Sequence, residues 1–242
     1  MIRAADQLSL LRKVLSQKEF CLIILDACRL DYFMMVYRNY LPEGNLIGAW
    51  SPASETLGWL KAVFTGKYDL VYVSANAFVN SKAEVRGFDA KKHFSIIVDV
   101  WDWGWDEFLG TVPPWEVNKA ALRYIYPRMV VHYVQPHGPW IGEPKLTKPW
   151  KRAPQGQLGP DYYIIEALQR GEITPDRVRQ AYLGNLKLVL HYVRELIPKL
   201  PHNKIIVTAD HGELLGEYDK WLHWPDLDYK ELRLVPWYEV KR

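Results

Sequence analysis

The residues best suited to chemistry follow an apolar segment late in the chain. Residues 205 to 212 read Ile-Ile-Val-Thr-Ala-Asp-His-Gly, so an acid and an imidazole come directly after a β-branched run. Such a run is typical of a strand buried on both faces, and ligands of open α/β sheets bind beyond the carboxyl ends of such strands. A carboxylate oxygen and an imidazole nitrogen are good ligands for zinc or manganese. The segment therefore predicts a cation site at Asp210 and His211, where Gly212 permits a sharp turn.

The same arrangement occurs at two other places in the chain. An apolar run at 22–25 leads into Asp26, and another at 129–131 leads to His137. The carboxyl ends of parallel neighbours meet at one edge of a sheet, so these side chains would converge on the pair at 210–211 if the three strands are neighbours. Taken separately, the same residues could be a helix N-cap, a turn residue and a loop acid. Their joint occurrence favours a shared site.

The composition is that of an ordinary globular chain. Of 242 residues, 49% are hydrophobic and 24% are charged, and the net charge of +3 is too small to indicate a nucleic-acid partner. Residues 1–18 lack the apolar core of a signal peptide, and no stretch approaches the roughly 18 uninterrupted apolar residues of a membrane span. We therefore expect no membrane segment and a cytoplasmic location. Cys21 and Cys28 do not form the pattern of a disulfide framework, which fits a reducing compartment.

The order of predicted elements indicates the fold class. Strands are predicted at 20–25, 46–50, 70–74, 94–98, 129–134, 203–208 and 232–240, and helices at 4–17, 30–39, 57–65, 116–126, 161–170 and 175–197. Strands that alternate with helices predict an α/β fold with a largely parallel sheet. The stretch 138–160, rich in Pro, Gly, Lys and Trp, is longer than most connections in compact domains and is interpreted as a loop insertion.

Four segments together resemble the alkaline phosphatase and sulfatase superfamily. They are Asp26 after its apolar strand, the helix from Thr56 that ends in Thr-Gly-Lys-Tyr, His-Tyr-Val-Gln-Pro-His at 132–137, and Thr-Ala-Asp-His-Gly-Glu at 208–213. The resemblance covers residues 20 to 240, and Ala-Asp-His-Gly-Glu is its most specific part. It implies an alkaline phosphatase-like three-layer αβα sandwich with a largely parallel central sheet, formed by residues 1–242 as a single domain.

The resemblance also indicates a nucleophile. In that superfamily the nucleophile begins a helix that closes ten residues later with Thr-Gly, and counting back ten residues from Gly66 gives Thr56. The physics of a helix N-terminus agrees, because free backbone N–H groups and a partial positive charge favour an ionised hydroxyl and an anionic phosphoryl group. Ser51, Ser54 and Glu55 are the nearby alternatives. Thr56 could also serve only as the cap of its helix.

A metal site follows from the same resemblance. Asp26, Asp210 and His211 would bind a divalent cation together with the oxygen of Thr56. One ion is expected, zinc or manganese first, with magnesium or calcium as alternatives. His132 is expected to face away from this site, into the packing of the sheet.

The resemblance leaves the surroundings of that ion open. His137 and His223 fall where relatives place either ligands of a second metal or donors to substrate oxygens, and Arg29 and Lys67 are further candidates to neutralise phosphoryl charge. Two-metal relatives usually carry an acid four residues before the middle histidine. Tyr133 occupies that position here, so the chain resembles the single-metal branch, and a second ion is not expected to have a complete site.

The predicted activity is metal-dependent hydrolysis of phosphate esters. Sulfatases of the superfamily use a cysteine in Cys-x-Pro/Ala-x-Arg, whereas Thr56 stands at the aligned position and neither 57–60 nor 28–30 matches that motif. We expect a phosphodiester, or a phosphonate or phosphate monoester, of a small molecule or lipid headgroup, cleaved through a covalent phospho-threonine. The alternatives are a sulfate ester hydrolase, a phospho-headgroup transferase and, in a different class, a non-catalytic binding scaffold.

Overall fold

The computed structural model describes residues 3–146 and 162–242, and an eight-stranded sheet forms its centre. The strands are β1 (Ala4–Asp6), β2 (Phe20–Leu25), β3 (Gly44–Trp50), β4 (Tyr68–Ser74), β5 (Phe94–Asp99), β6 (Arg128–Tyr133), β7 (Ile205–Thr208), β8 (Leu214–Leu215), β9 (Trp221–Leu222) and β10 (Leu234–Val240). The sheet has the order β1-β3-β10-β7-β2-β6-β4-β5, and β8 pairs with β9 separately. β10 runs antiparallel to β3 and β7, whereas the other neighbours within this sheet are parallel.

Helices connect the parallel strands. They are α1 (Gln7–Leu15), α2 (Leu30–Val36), α3 (Thr56–Val63), α4 (Val100–Trp103), α5 (Pro114–Arg123), α6 (Tyr162–Gln169), α7 (Pro175–Leu196) and α8 (Lys230–Arg233). α7 packs against α2 and α5, while α1 packs against α3. The α/β class and the largely parallel central sheet predicted from the sequence are confirmed.

The three strands that end in chemically active residues are neighbours. β2 lies between β7 and β6, with Cys21 opposite Ile205 and Ile23 opposite Val131. All residues of β2 and β7 are buried, as expected for apolar runs covered on both faces. Their carboxyl ends therefore lie side by side, and the residues that follow them share one edge of the sheet.

Several predicted helices have different limits in the structure, and two of them show the physical cause. Residues 4–6 form β1, paired with β3, and α1 begins only at Gln7 because Asp6 caps it by accepting a hydrogen bond from the N–H of Ser9. The predicted helix 57–65 is α3, which ends at Val63, since Phe64 has non-helical backbone angles.

Other predictions about the chain are tested in part. Of the predicted loop insertion 138–160, residues 147–160 lie outside the described residues. Cys21 and Cys28 are buried free thiols. Within the described ranges, no helix combines the length and the apolar character needed to cross a membrane.

Candidate functional site

The carboxyl edge of β7, β2 and β6 brings four predicted site residues together. Asp210 and His211 follow β7, Asp26 follows β2, and His137 follows β6. The N–H of His137 donates to the carbonyl of Asp26 over 3.1 Å, which ties the loop after β6 to the turn after β2. Asn185 of α7 holds the same loop from the other side, because its amide nitrogen donates to the His137 carbonyl over 2.9 Å.

Asp26, Asp210 and His211 form a buried cluster suited to a cation. One ligand atom from each lies within 4.8 Å of the others. Nδ1 of His211 lies 2.7 Å from the carbonyl of Gly212, so it carries the proton and Nε2 presents its lone pair to the carboxylates. Nε2 is 3.6 Å from Oδ1 of Asp26 and 3.5 Å from Oδ2 of Asp210. Oδ1 of Asp26 is buried and has no hydrogen-bond partner, which is consistent with an atom that binds a metal.

The charges of this cluster are unbalanced without a cation. Burial raises the pKa of Asp26 well above its usual range, and the neighbouring Asp210 raises it further. Burial also disfavours a charged Asp210, but its pKa is lowered because the imidazoles of His211 and His132 and the hydrogen bonds from Thr56 and Ala27 together favour the carboxylate. Burial lowers the pKa of His211 to about 4, so its imidazole is neutral at pH 7. Two carboxyl groups and a neutral imidazole in a buried site fit the donor set of a divalent cation.

A strained turn orients Asp210. Ala27 has a φ of 58°, in the left-handed region that non-glycine residues rarely adopt. In this conformation its N–H donates to Oδ1 of Asp210 over 3.1 Å, and its carbonyl accepts from the hydroxyl of Tyr182 over 2.7 Å. Such strain is concentrated at functional sites.

Thr56 is the first residue of α3 and points into the cluster. Its Oγ1 donates to Oδ2 of Asp210 over 2.7 Å and lies 3.2 Å from Nε2 of His211. The hydroxyls of the two alternative serines are directed elsewhere, because Ser51 donates to the carbonyls of Ala53 and Asp210 and Ser54 donates to the carbonyl of Trp224.

The N-terminus of α3 differs from the expectation. Free N–H groups at this helix end were predicted to stabilise an ionised hydroxyl and a phosphoryl group. Two of them are not free, because the carboxylate of Glu55 accepts from the N–H of Leu57 over 2.7 Å and from the N–H of Gly58. Glu55, rather than Thr56, is the N-cap of the helix. A negative charge therefore stands beside the predicted nucleophile.

A second cluster adjoins the first. His137, Glu213 and His223 each place one potential ligand atom within 4.8 Å of the others. The ring centroids of His211 and His223 are 4.3 Å apart, so the two clusters are continuous. Nδ1 of His223 donates to Oε1 of Glu213 over 3.0 Å, and Oε2 of that buried carboxylate has no hydrogen-bond partner.

Glu213 is a site residue that the sequence analysis did not assign. We expected this cluster to have no acid, because Tyr133 stands where relatives carry one. The Tyr133 hydroxyl instead donates to Asn118 over 2.5 Å, and Glu213 supplies the carboxylate. Burial opposes ionisation of Glu213, but its pKa is lowered because His223, with His137 and His211, favours the charged carboxylate. The signal was present, since Glu213 follows Asp210 by three residues in the most specific motif.

Arg29 does not face the clusters. Its guanidinium forms ion pairs of 2.7 Å with both Asp31 and Glu217 and donates to the backbone carbonyl of Glu213 over 3.1 Å. The interpretation of Arg29 as a phosphoryl-binding residue is corrected accordingly. It fixes the loop that carries Glu213.

Lys67 lies at the edge of the sheet opposite the site. It is exposed and immediately precedes β4, whose carboxyl end at Ser74 lies on the side of the site. The prediction that Lys67 neutralises phosphoryl charge is therefore wrong, because the start of a parallel strand is at the opposite edge from the site.

His132 supports the site from within the sheet. It is fully buried, its Nδ1 lies 2.9 Å from the hydroxyl of Tyr72, and its Nε2 lies 3.8 Å from Oδ2 of Asp210. The imidazole is buried within the sheet, but its Nε2 faces Oδ2 of Asp210, so the expectation that His132 points away from the site is corrected.

Comparison with known proteins gives structural matches only. Neither protein-family models nor curated proteins match the chain. The soluble domain of lipooligosaccharide phosphoethanolamine transferase A from Neisseria meningitidis matches with a TM-score of 0.56 and 13% identity, covering 90% of this chain and 75% of that one. Phosphonate monoester hydrolase of Agrobacterium radiobacter matches with a TM-score of 0.54 and 13% identity, covering 93% and 68%.

A third match includes a metal. The C-terminal periplasmic domain of EcEptC from Escherichia coli, in complex with zinc, matches with a TM-score of 0.53 and 9% identity, covering 94% of this chain and 74% of that one. These neighbours are enzymes of the alkaline phosphatase and sulfatase superfamily, so the chain has the fold that its motifs resemble. The predicted cytoplasmic location stays a prediction.

Proposed function

We propose that the chain is a metal-dependent phosphoester hydrolase in which Thr56 is the nucleophile. The observation that carries this proposal is the position of Thr56 Oγ1, 2.7 Å from Asp210 Oδ2 and 3.2 Å from His211 Nε2. A hydroxyl beside two buried carboxyl groups and a neutral imidazole, which can bind a divalent cation, is suited to nucleophilic catalysis at phosphorus. The fold shared with phosphoester enzymes supports it.

Asp26, Asp210 and His211 would hold the catalytic cation together with Thr56. A bound divalent cation would lower the pKa of the threonine hydroxyl and neutralise charge on the phosphoryl oxygens. Zinc suits this mixed set of oxygen and nitrogen donors. The unpartnered, buried Oδ1 of Asp26 supports the assignment.

The second cluster favours a second cation over direct donors to substrate. Nδ1 of His137 lies 2.7 Å from the Gly138 carbonyl, so it carries the proton and Nε2 presents a lone pair. Burial lowers the pKa of His137, which keeps the ring neutral at pH 7. A neutral ring in this tautomer accepts rather than donates at Nε2, and with Glu213 and His223 it offers a ligand set containing one carboxylate.

The chain's own residues account for the movement of the proton and the phosphoryl group. Thr56 Oγ1 attacks phosphorus, and its proton leaves toward Asp210 Oδ2, the atom that accepts its hydrogen bond. The new O–P bond forms as the bond to the leaving alcohol breaks, and that alcohol leaves with a proton from solvent. Water then attacks the phospho-threonine and releases the phosphoryl product. The proton held by Asp210 returns to the Thr56 oxygen, and the proton lost by the attacking water passes to solvent.

A phospho-headgroup transferase is the second candidate. Two of the matched structures are the soluble domain of a phosphoethanolamine transferase and the EcEptC domain in complex with zinc. The first half of the reaction is the same in both cases. In a transferase an acceptor alcohol replaces water in the second half, so the two functions are distinguished by adding acceptor alcohols and following the product.

The test uses substrates of different charge. Turnover of p-nitrophenyl phosphate, bis-p-nitrophenyl phosphate and p-nitrophenyl sulfate is measured with zinc or manganese for wild type, Thr56→Ala and Asp210→Ala. Each variant is expected to lose about a thousandfold in rate, which corresponds to about 4 kcal/mol of transition-state stabilisation. Thr65→Ala, at an exposed threonine just after α3, serves as the matched control and is expected to behave as wild type.

The outcomes separate the alternatives. Acid-quenched wild type is expected to carry phosphate on Thr56, detected by mass spectrometry. Wild-type turnover in both site variants would remove the mechanism. Turnover of the sulfate ester alone would identify a sulfate ester hydrolase, and no turnover together with no bound metal would identify a non-catalytic scaffold.

A further inference from the structure

The buried side-chain amide of Asn76 contacts the carboxylate of Asp26, although the strands that these two residues follow are not adjacent in the sheet. Asn76 follows β4, and its Nδ2 donates to Oδ2 of Asp26 over 2.7 Å. β6 lies between β4 and β2 in the sheet, so this side chain reaches across the end of β6. Asn76 is 4% exposed.

Asn76 is itself held in one orientation. Its Oδ1 accepts from the N–H of Phe78 over 2.9 Å, which fixes Nδ2 as the atom that faces Asp26. The hydroxyl of Ser74 accepts from the N–H of Asn76 over 3.1 Å and donates to its carbonyl over 2.7 Å. The amide is therefore in place before any ligand binds.

The contact makes the two oxygens of Asp26 different. Oδ2 is taken by Asn76, whereas Oδ1 has no hydrogen-bond partner and lies 3.6 Å from Nε2 of His211. One oxygen is anchored, and the other faces the remaining residues of the cluster. A carboxylate without that anchor could rotate about its terminal torsion, which is broad for aspartate.

We propose that Asn76 is the positioning residue for Asp26, anchoring Oδ2 so that Oδ1 alone serves as the ligand of the divalent cation. This inference rests on the proposed function, because it concerns the same metal site. A neutral donor suits the role. A lysine or arginine would compete with the cation for the carboxylate, and an aspartate would repel Oδ2.

The experiment measures metal binding without substrate. The zinc Kd of the full chain is determined by competition with a chromophoric chelator for wild type, Asn76→Ala and Asn76→Asp. Both variants are expected to bind zinc roughly 10- to 100-fold more weakly, the usual loss for a partner that orients a ligand. The visible absorption of the Co²⁺-substituted protein is recorded as well, since an altered carboxylate ligand changes the coordination geometry and hence the spectrum.

Asn80 provides a matched control. It lies in the same loop, is 2% exposed, and its Oδ1 accepts from the N–H groups of Lys82 and Ala83 rather than contacting a carboxylate. Asn80→Ala is expected to retain the wild-type zinc Kd and cobalt spectrum. Thermal unfolding without metal is measured for each variant, so that a general loss of loop structure is seen directly.

The results distinguish the positioning role of Asn76 from the proposed function of the chain. Wild-type zinc affinity in both Asn76 variants, or an equal loss in Asn80→Ala, overturns the positioning role and leaves the proposed function intact. A wild-type chain that binds no zinc and shows no turnover with any divalent cation overturns the proposed function itself. If Asn76→Ala does not fold, Asn76→Asp decides, because its carboxylate can still accept from the N–H of Phe78.

Discussion

The hydroxyl of Thr56 donates a 2.7 Å hydrogen bond to Oδ2 of Asp210, although the two residues are 154 positions apart in the chain. Oδ1 of the same carboxylate accepts from the N–H groups of Ala27 and His211, over 3.1 and 2.9 Å. Asp210 thus connects the start of α3, the turn after β2 and the end of β7. A single buried carboxylate fixes the proposed nucleophile relative to the other proposed metal ligands.

Metal removal is expected to reveal the repulsion between the buried acids. Zinc at a hundred times its Kd should raise the free energy of unfolding of the wild type by about 2.7 kcal/mol, because only the folded state presents the site. In Asp26→Asn that stabilisation should be lost. The metal-free variant should be more stable than metal-free wild type, since Asp210 no longer opposes a second carboxylate. Denaturant unfolding with EDTA or with zinc measures both quantities.

An exposed acid supplies the control for that experiment. Asp69 lies on β4 with its side chain exposed, away from the carboxyl edge, so Asp69→Asn should respond to zinc as the wild type does. A zinc response in Asp26→Asn equal to that of the wild type would show that Asp26 is not a ligand.

Much of the site was predictable because it depends on strand order alone. The runs before Asp26, His137 and Asp210 are apolar and β-branched, and burial on both faces requires such strands to lie in the middle of a sheet. Once they are neighbours, the residues after them must converge at one edge. The position of Thr56 came from the spacing of a family motif.

The rest of the candidate site could not be predicted, because it depends on side-chain geometry that the spacing of residues in the sequence does not encode. Glu55 and Thr56 are adjacent, and only the backbone angles at position 55 decide that Glu55 is the cap. Arg29 lies near the site in sequence, but acids at 31 and 217 orient its guanidinium. Asn76 comes from β4, whose strand end carries no acid or histidine that would have drawn attention to it.

The charge of Glu55 is expected to select among substrates. Its carboxylate stands beside Thr56 and contributes to the raised pKa of Asp26, so it repels a phosphate monoester dianion more than a diester monoanion. Glu55→Gln should therefore raise kcat/KM for p-nitrophenyl phosphate by roughly three- to tenfold, on the order of 1 kcal/mol at a half-buried position. The value for bis-p-nitrophenyl phosphate should change less. Steady-state kinetics with both substrates checks the ratio.

A glutamate in the first turn of another helix gives the comparison for Glu55. Glu116 lies in the first turn of α5, where it pairs with Lys119. Glu116→Gln should leave the ratio between the two substrates unchanged. An equal change for monoester and diester in Glu55→Gln would mean that the residue acts only as a cap.

Arg29 is expected to stabilise the loop that carries Glu213. Its side chain is 5% exposed and pairs with Asp31 and with Glu217. Arg29→Met should lower the free energy of unfolding by about 2 kcal/mol, the usual value for hydrogen bonds to a charged group. Denaturant unfolding measures the loss, and zinc stoichiometry reports whether the second cluster is disturbed.

A surface arginine provides a control that separates the effect of burial from the effect of charge on stability. Arg170 is 64% exposed and lies within 4 Å of Glu166 and Glu172, so Arg170→Met should cost less than about 1 kcal/mol. Similar losses in the two variants would contradict the importance of burial at Arg29.

Acid sensitivity of the metal-free protein is expected to depend on His132. Burial lowers the pKa of its imidazole from 6.5 in the unfolded chain to about 4 in the folded one. Between these values the unfolded chain binds more protons, so this contribution to stability is complete above pH 6.5 and is lost as the pH falls toward 4. His132→Gln should therefore lose less stability than the wild type over that range in unfolding experiments at a series of pH values. His191→Gln, at an exposed position on α7, should follow the wild-type profile, and identical profiles for all three proteins would contradict the prediction.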